Sequence, residues 1–150
     1  MPIYIQKVPV LEILEDKNFK DIAAEYAEES KIEGMPPIDW QTDIYQGMED
    51  AGVIHVFKAT DNGEMVGFLS MIISRLPHYG VLAATVESVF VSKGSGAGSR
   101  LLDVAQGYAE DEGCEGFLVS APVGGRLAAL APKMGFIRTN EIFFRGFESE

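Results

Sequence analysis

Between Lys93 and Ser99 the chain reads Lys-Gly-Ser-Gly-Ala-Gly-Ser, three glycines alternating over five residues. An apolar strand pattern precedes this loop and an amphipathic helix pattern follows it. The first N–H groups of a helix have no partner within it and lie at the positive end of its dipole. Glycines let a phosphate reach such groups without a Cβ in the way. Gly94, Gly96 and Gly98 therefore fit a pyrophosphate cradle, with Lys93 and Arg100 as the nearest cations. The competing reading is a flexible strand-to-helix connector, which has no need of alternating glycines. Two other phosphate loops fit worse. A P-loop needs Lys directly after its last glycine, and here Lys93 precedes the glycines. A dinucleotide fingerprint needs a third small residue where Ser99 stands, and an acid at the end of the next strand, where Glu115 instead begins it.

The second candidate is Glu87, in Val86-Glu-Ser-Val-Phe-Val91, the one acid between Glu64 and Asp103. A single carboxylate in so apolar a strand points to a cleft or a sheet edge. Strand alternation offers a plainer account, a side chain facing solvent, and both readings stand at this point. His78 and Tyr79 occupy a turn, where functional residues concentrate, and surface placement explains them equally. His55 alternates within a strand and reads as structural. Cys114 lies just before an apolar strand, where thiols are usually inert packing. No metal site is expected, since the two histidines stand 23 residues apart without paired cysteines.

The elements that must hold these residues are legible from pattern. Ile3 to Val10 predicts a strand, and Glu12 to Lys31 one or two helical segments, with Phe19, Ile22, Ala23 and Tyr26 on one face. Gly34-Met-Pro-Pro37 breaks this run, and Asp39 reads as the cap of a helix bearing Trp40, Ile44, Tyr45 and Met48. Val53–Thr60, Met65–Arg75 and Val81–Val91 predict an antiparallel meander whose first turn is Asp61-Asn62-Gly63. A helix then runs from the glycine loop to about Glu112. Gly116–Ala121 predicts a short apolar strand whose neighbour across the βα connection is parallel and centrally buried, Leu127–Met134 a short helix, and 136–139 with 141–147 two last strands. The order is β-α-α-β-β-β-α-β-α-β-β, an α+β fold whose mixed, mostly antiparallel sheet is flanked by helices. At 150 residues the whole chain is expected to form one domain.

Composition narrows the function. The net charge is −11, which opposes binding to nucleic acid. The three consecutive fifties carry −8, +1 and −4. The acidic first third suits a solvated surface or attraction of a cationic substrate. No apolar run reaches the ~20 residues of a membrane span, and no signal peptide is read at the start. A lone cysteine suits a reducing compartment, so a cytoplasmic location is expected.

On these residues the chain resembles the GNAT superfamily of acetyl-CoA-dependent N-acetyltransferases. Lys93-Gly-Ser-Gly96-Ala-Gly98 is similar to that family's Arg/Gln-x-x-Gly-x-Gly/Ala loop, and Lys133-Met-Gly-Phe136 to its Lys-Leu-Gly-Phe segment. The resemblance implies acetyl-CoA as co-substrate, with no metal. Its pantetheine arm would lie along Val89, Phe90 and Val91, splayed from the strand near Phe117. Its pyrophosphate would rest on Lys93, Gly94, Ser95, Gly96, Ala97, Gly98 and Ser99, with Arg100 adjacent. An amine acceptor, cationic by the charge argument, would enter between the N-terminal helices and Pro77–Gly80 and attack the thioester directly. Glu87 falls where many members carry a base that works through water. A homodimer is open by analogy alone.

Three positions depart from the family pattern. Lys93 replaces the usual Arg or Gln, and the link from Val91 to Gly96 is about three residues shorter than is common in the family. The tyrosine that often protonates the leaving thiolate falls at Ala131, and the usual asparagine before that helix at Gly124. Tyr79, Tyr45, Ser120 or water must then serve as the acid, and Tyr79 is the side chain taken here. The alternative is a catalytically degenerate acyl-CoA-binding or regulatory module.

Overall fold

Asn62 and Gly63 both adopt positive φ, 54° and 81°, and close a two-residue hairpin in which Asp61 faces Glu64. Two such residues give a turn whose twist matches the flanking strands. They join β2 (Ile54–Asp61) to β3 (Glu64–Leu76), which pairs in turn with β4 (Val81–Val91). β1 (Tyr4–Val8) adds antiparallel to β2, and β5 (Gly116–Leu118) adds parallel to β4. The sheet order is β1-β2-β3-β4-β5. This is the expected α+β class, seen in a computed structural model that describes residues 2–147.

Each sheet face carries its own core. On one side α4 (Gly98–Asp111) buries Leu101, Leu102, Ala105 and Ala109 against Phe57, Leu69, Met71 and Ala84. On the other, α1 (Val10–Leu14) and α2 (Phe19–Glu29) bury Val10, Ile13, Phe19 and Ile22 against Ile54, Val56 and Phe68. α3 (Thr42–Asp50) packs beside them, and its Glu49 caps α1 by accepting the Val10 N–H at 2.7 Å. α5 (Arg126–Lys133) follows β5.

Five expectations need correction. The first strand ends at Val8, because Pro9 opens α1 at once. The helix expected from Asp39 starts at Thr42 with Gln41 as its cap, and Trp40 instead packs edge-on to Phe19 at 5.2 Å. β5 stops at Leu118 rather than Ala121, lies at the sheet edge and buries none of its three residues, while its parallel neighbour β4 is the interior strand. Residues 136–139 and 141–147 form no strand. Their side chains are strand-formers, but that preference is realised only where an edge receives them.

Candidate active site

β4 is where the site is built. Ser70 of β3 pairs with Ser88, and Met71 with Val86, so Glu87 is an extra residue in β4, a β-bulge. The bulge reverses the alternation of the strand. Before it, Ala84 and Val86 face α4; after it, Val89 and Val91 do, while Phe90 turns to the α2 side. Glu87 is thereby lifted out of the apolar pattern, with its side chain exposed. Its Oε1 accepts the Tyr45 hydroxyl at 2.7 Å. Its Oε2 accepts Ser70 and Ser88 at 2.6 and 2.8 Å.

Pairing between β4 and β5 stops at Thr85–Leu118. Beyond that point the strands part and leave a cleft of about 640 Å³ running from Glu87 to the glycine loop. Such a volume suits an extended organic ligand. Val89, Phe90 and Val91 line one wall, and Ser120 and Leu130 the other. Gly94, Gly96, Gly98 and Ser99 form the end of the cleft. Lys93, Ser95 and Arg100 flank the loop without lining the cleft, and Ala97 is fully buried beneath it.

The loop has the build of an anion cradle. Gly94 and Gly96 adopt φ of +81° and +72°, with open space where a Cβ would stand. α4 has no side-chain cap, and its first turn holds no acid. Among the described residues, the N–H groups of Gly98, Ser99 and Arg100 have no backbone partner. Those donors and the helix dipole fit phosphate oxygens. Gly98 itself has ordinary φ, and a Cβ there would touch Val91 and Leu130 at 3.7 and 3.8 Å.

The structure does not bring Tyr79 to this place. It sits in the β3–β4 turn, 69 % exposed and tilted against His78 at 4.3 Å between centroids, eight residues along from Glu87 and outside the cleft lining. The turn at 77–80 likewise lines no part of the cleft. Tyr45 does reach Glu87, but its phenol is raised well above the ordinary value. Burial is the main cause, followed by the hydrogen bond to Glu87 and that group's charge. A phenol so disposed donates a hydrogen bond rather than a proton. His55 is half-buried against Tyr108, and burial chiefly lowers its pKa. Burial chiefly raises the Cys114 thiol, in keeping with a packing role.

Four further residues belong to the site although their sequence positions gave them no site role. Tyr26 and Glu29, one turn apart on α2, line the cleft, as does Arg126 at the start of α5. Arg126 pairs with Glu29 through Nε and Nη2 at 2.6 and 2.7 Å. Those hydrogen bonds are the main reason the Glu29 carboxyl lies below its ordinary range. Ser70 carried a faint signal, since it interrupts the apolar run of β3 as Ser88 does that of β4.

The sequence model of the acetyltransferase (GNAT) family matches residues 15–136. No curated protein matches the chain in sequence. Solved structures do match in fold. A ribosomal-protein-alanine N-acetyltransferase from Brucella melitensis biovar Abortus 2308 is 19% identical with a TM-score of 0.74, over 98% of this chain and 100% of that one. A glucosamine-6-phosphate N-acetyltransferase from Arabidopsis thaliana is 12% identical with a TM-score of 0.74, over 99% and 100%. An aminoglycoside acetyltransferase from an uncultured soil metagenomic sample is 16% identical with a TM-score of 0.72, over 99% and 100%.

Proposed function

The chain belongs to the GNAT acetyltransferase family, and from that premise we propose that it acetylates a primary amine by direct attack within the β4–β5 cleft. The observation that carries this reading is the cleft itself, with an uncapped helix start at one end and a hydroxyl-held carboxylate at the other. Acetyl-CoA supplies the activated acetyl group. The N–H groups of Gly98, Ser99 and Arg100 hold phosphate oxygens, and Gly94 and Gly96 keep the approach clear of side chains. Lys93 and Arg100 add charge at the rim. The free edge of β4 at Val89 and Val91 offers backbone groups to the pantetheine arm.

Glu87 takes the proton that an ammonium must lose before it can attack. Three hydroxyls fix its carboxylate, which has roughly four acceptor positions, so the remaining one lies on Oε1 beside Tyr45. The acceptor is a cationic small amine, or a lysine or N-terminal amine, drawn by the acidic first third. Ser120 or water is left to protonate the departing thiolate. A second reading has its own support: Ala131 stands at the usual tyrosine position, Tyr79 is remote, and the Tyr45 proton is engaged. It gives acyl-CoA binding without turnover.

Calorimetric titration with acetyl-CoA tests the cradle. Gly98→Val is the informative variant, because position 98 needs no unusual φ whereas position 96 does. Wild-type protein should bind saturably and the variant at least about tenfold more weakly, some 1.4 kcal/mol. Equal affinities would exclude this loop as the phosphate site. Thiol release on screening amines then separates the enzyme from the binding module.

A further inference from the structure

Among the described residues, Glu29–Arg126 is the one ion pair made between two cleft-lining side chains. It joins the last residue of α2 to the first of α5, 97 positions apart in sequence. The same guanidinium donates through Nη2 to the Val91 carbonyl at 2.7 Å and lies 5.5 Å from the Phe90 ring centroid. A single side chain thus ties α2, α5 and the end of β4 together across the cleft.

The Val91 carbonyl has a particular place in the sheet. Ser92 donates its N–H to Val66, so that group faces β3. Successive residues of a strand point their backbone groups to opposite edges, so Val91 directs its N–H and C=O into the gap where β5 has departed. Arg126 therefore occupies one of the backbone acceptors that an extended amide-bearing ligand would pair with on entering. Its side chain is 42% exposed and α5 buries no residue, so little packing holds it there. Besides the Val91 carbonyl and the Phe90 ring, its restraint is the bidentate pair with Glu29.

We propose that Arg126 is a cofactor-gripping residue that Glu29 holds in reserve: as the acyl-CoA arm takes the Val91 carbonyl, the guanidinium leaves Glu29 and pairs with an oxygen of the cofactor. This rests on the acyl-CoA reading of the cleft. The exchange breaks a bidentate carboxylate pair and replaces it with a charge-assisted contact to the ligand. The pair therefore reduces apparent affinity by the fraction of molecules in which Arg126 is withdrawn. It also makes Arg126 a selector for ligands bearing an anionic or carbonyl oxygen beside Val91.

Acetyl-CoA titrations of four proteins read this out: wild type, Glu29→Gln, Arg126→Ala and the double variant. Glu29→Gln should tighten binding by roughly two- to fivefold, the scale of a partly exposed pair. Arg126→Ala should weaken it. In the Arg126→Ala background, Glu29→Gln should have no effect, because Glu29 acts only through the guanidinium. An equal gain in both backgrounds would mean that Glu29 merely repels the anionic ligand, and would overturn the proposal. So would a wild type that binds while Glu29→Gln changes nothing; that result leaves the acyl-CoA reading intact. Absence of wild-type binding at millimolar ligand would remove both. Thermal unfolding of each variant separates these results from loss of fold.

Discussion

Ser70, Ser88 and Glu87 form a triangle of oxygens with sides of 2.6, 2.8 and 2.8 Å. Two hydroxyl protons cannot fill three short contacts, so both hydroxyls serve the carboxylate only when their mutual contact carries no proton. With both hydroxyls donating to Oε2, the open acceptor position of the carboxylate is on Oε1, beside Tyr45. Glu87→Gln keeps the shape but cannot take up a proton there, and its turnover should fall by about 100-fold or more. Tyr45→Phe removes one donor to a charged group and should cost roughly tenfold. Acetyl-CoA affinity should stay within about twofold in both, since neither side chain reaches the glycine loop. Initial rates of thiol release at saturating acetyl-CoA check this, with affinities measured alongside. A Tyr45→Phe loss as deep as that of Glu87→Gln would assign proton transfer to the phenol.

At the scale of elements, the site depends on how β4 is bent and released. Gly67 of β3 faces Val91, and a Cβ there would stand 2.7 Å from both the Phe90 carbonyl oxygen and Val91 Cγ1. The two backbones can pass so closely only at glycine. Gly67→Ala should lower unfolding free energy by about 1–3 kcal/mol, as overpacking does. It should also weaken acetyl-CoA binding by displacing the end of β4. Urea titration and calorimetry on one preparation measure both, and an unchanged midpoint would refute the close approach. The meander, the Asn62-Gly63 turn and the α4 stripe were legible in the sequence because each obeys a local period or turn rule. So was the glycine loop, whose spacing is its own signal. The bulge at Glu87 was not: the residue count of a strand does not say where its partner skips. Tyr79 misled because a turn advertises function wherever it lies. Tyr45, named only as one of several substitutes, reaches Glu87 through tertiary packing that no spacing in the chain encodes.

For the whole molecule, the two cores end early. No residue from Glu110 to Phe147 is buried. Within that stretch Ile137, Ile142, Phe143 and Phe147 are 81–91% exposed. The side chains of 136–147 read as strands because the sequence shows their preference but not the three-residue edge that must receive them. Stability should therefore reside in residues 4–109, while the later elements shape the cleft wall. Leu101→Ala, at a fully buried position of α4, should cost about 2–5 kcal/mol in urea unfolding. Ile142→Ser and Phe143→Ser should each stay within about 0.5 kcal/mol, as surface substitutions do. A cost of 2 kcal/mol or more at Phe143 would show that the segment is covered in solution. Protein concentration then distinguishes the cover: a cost that shrinks on dilution comes from a second copy, and one that does not comes from the chain's own sheet edge.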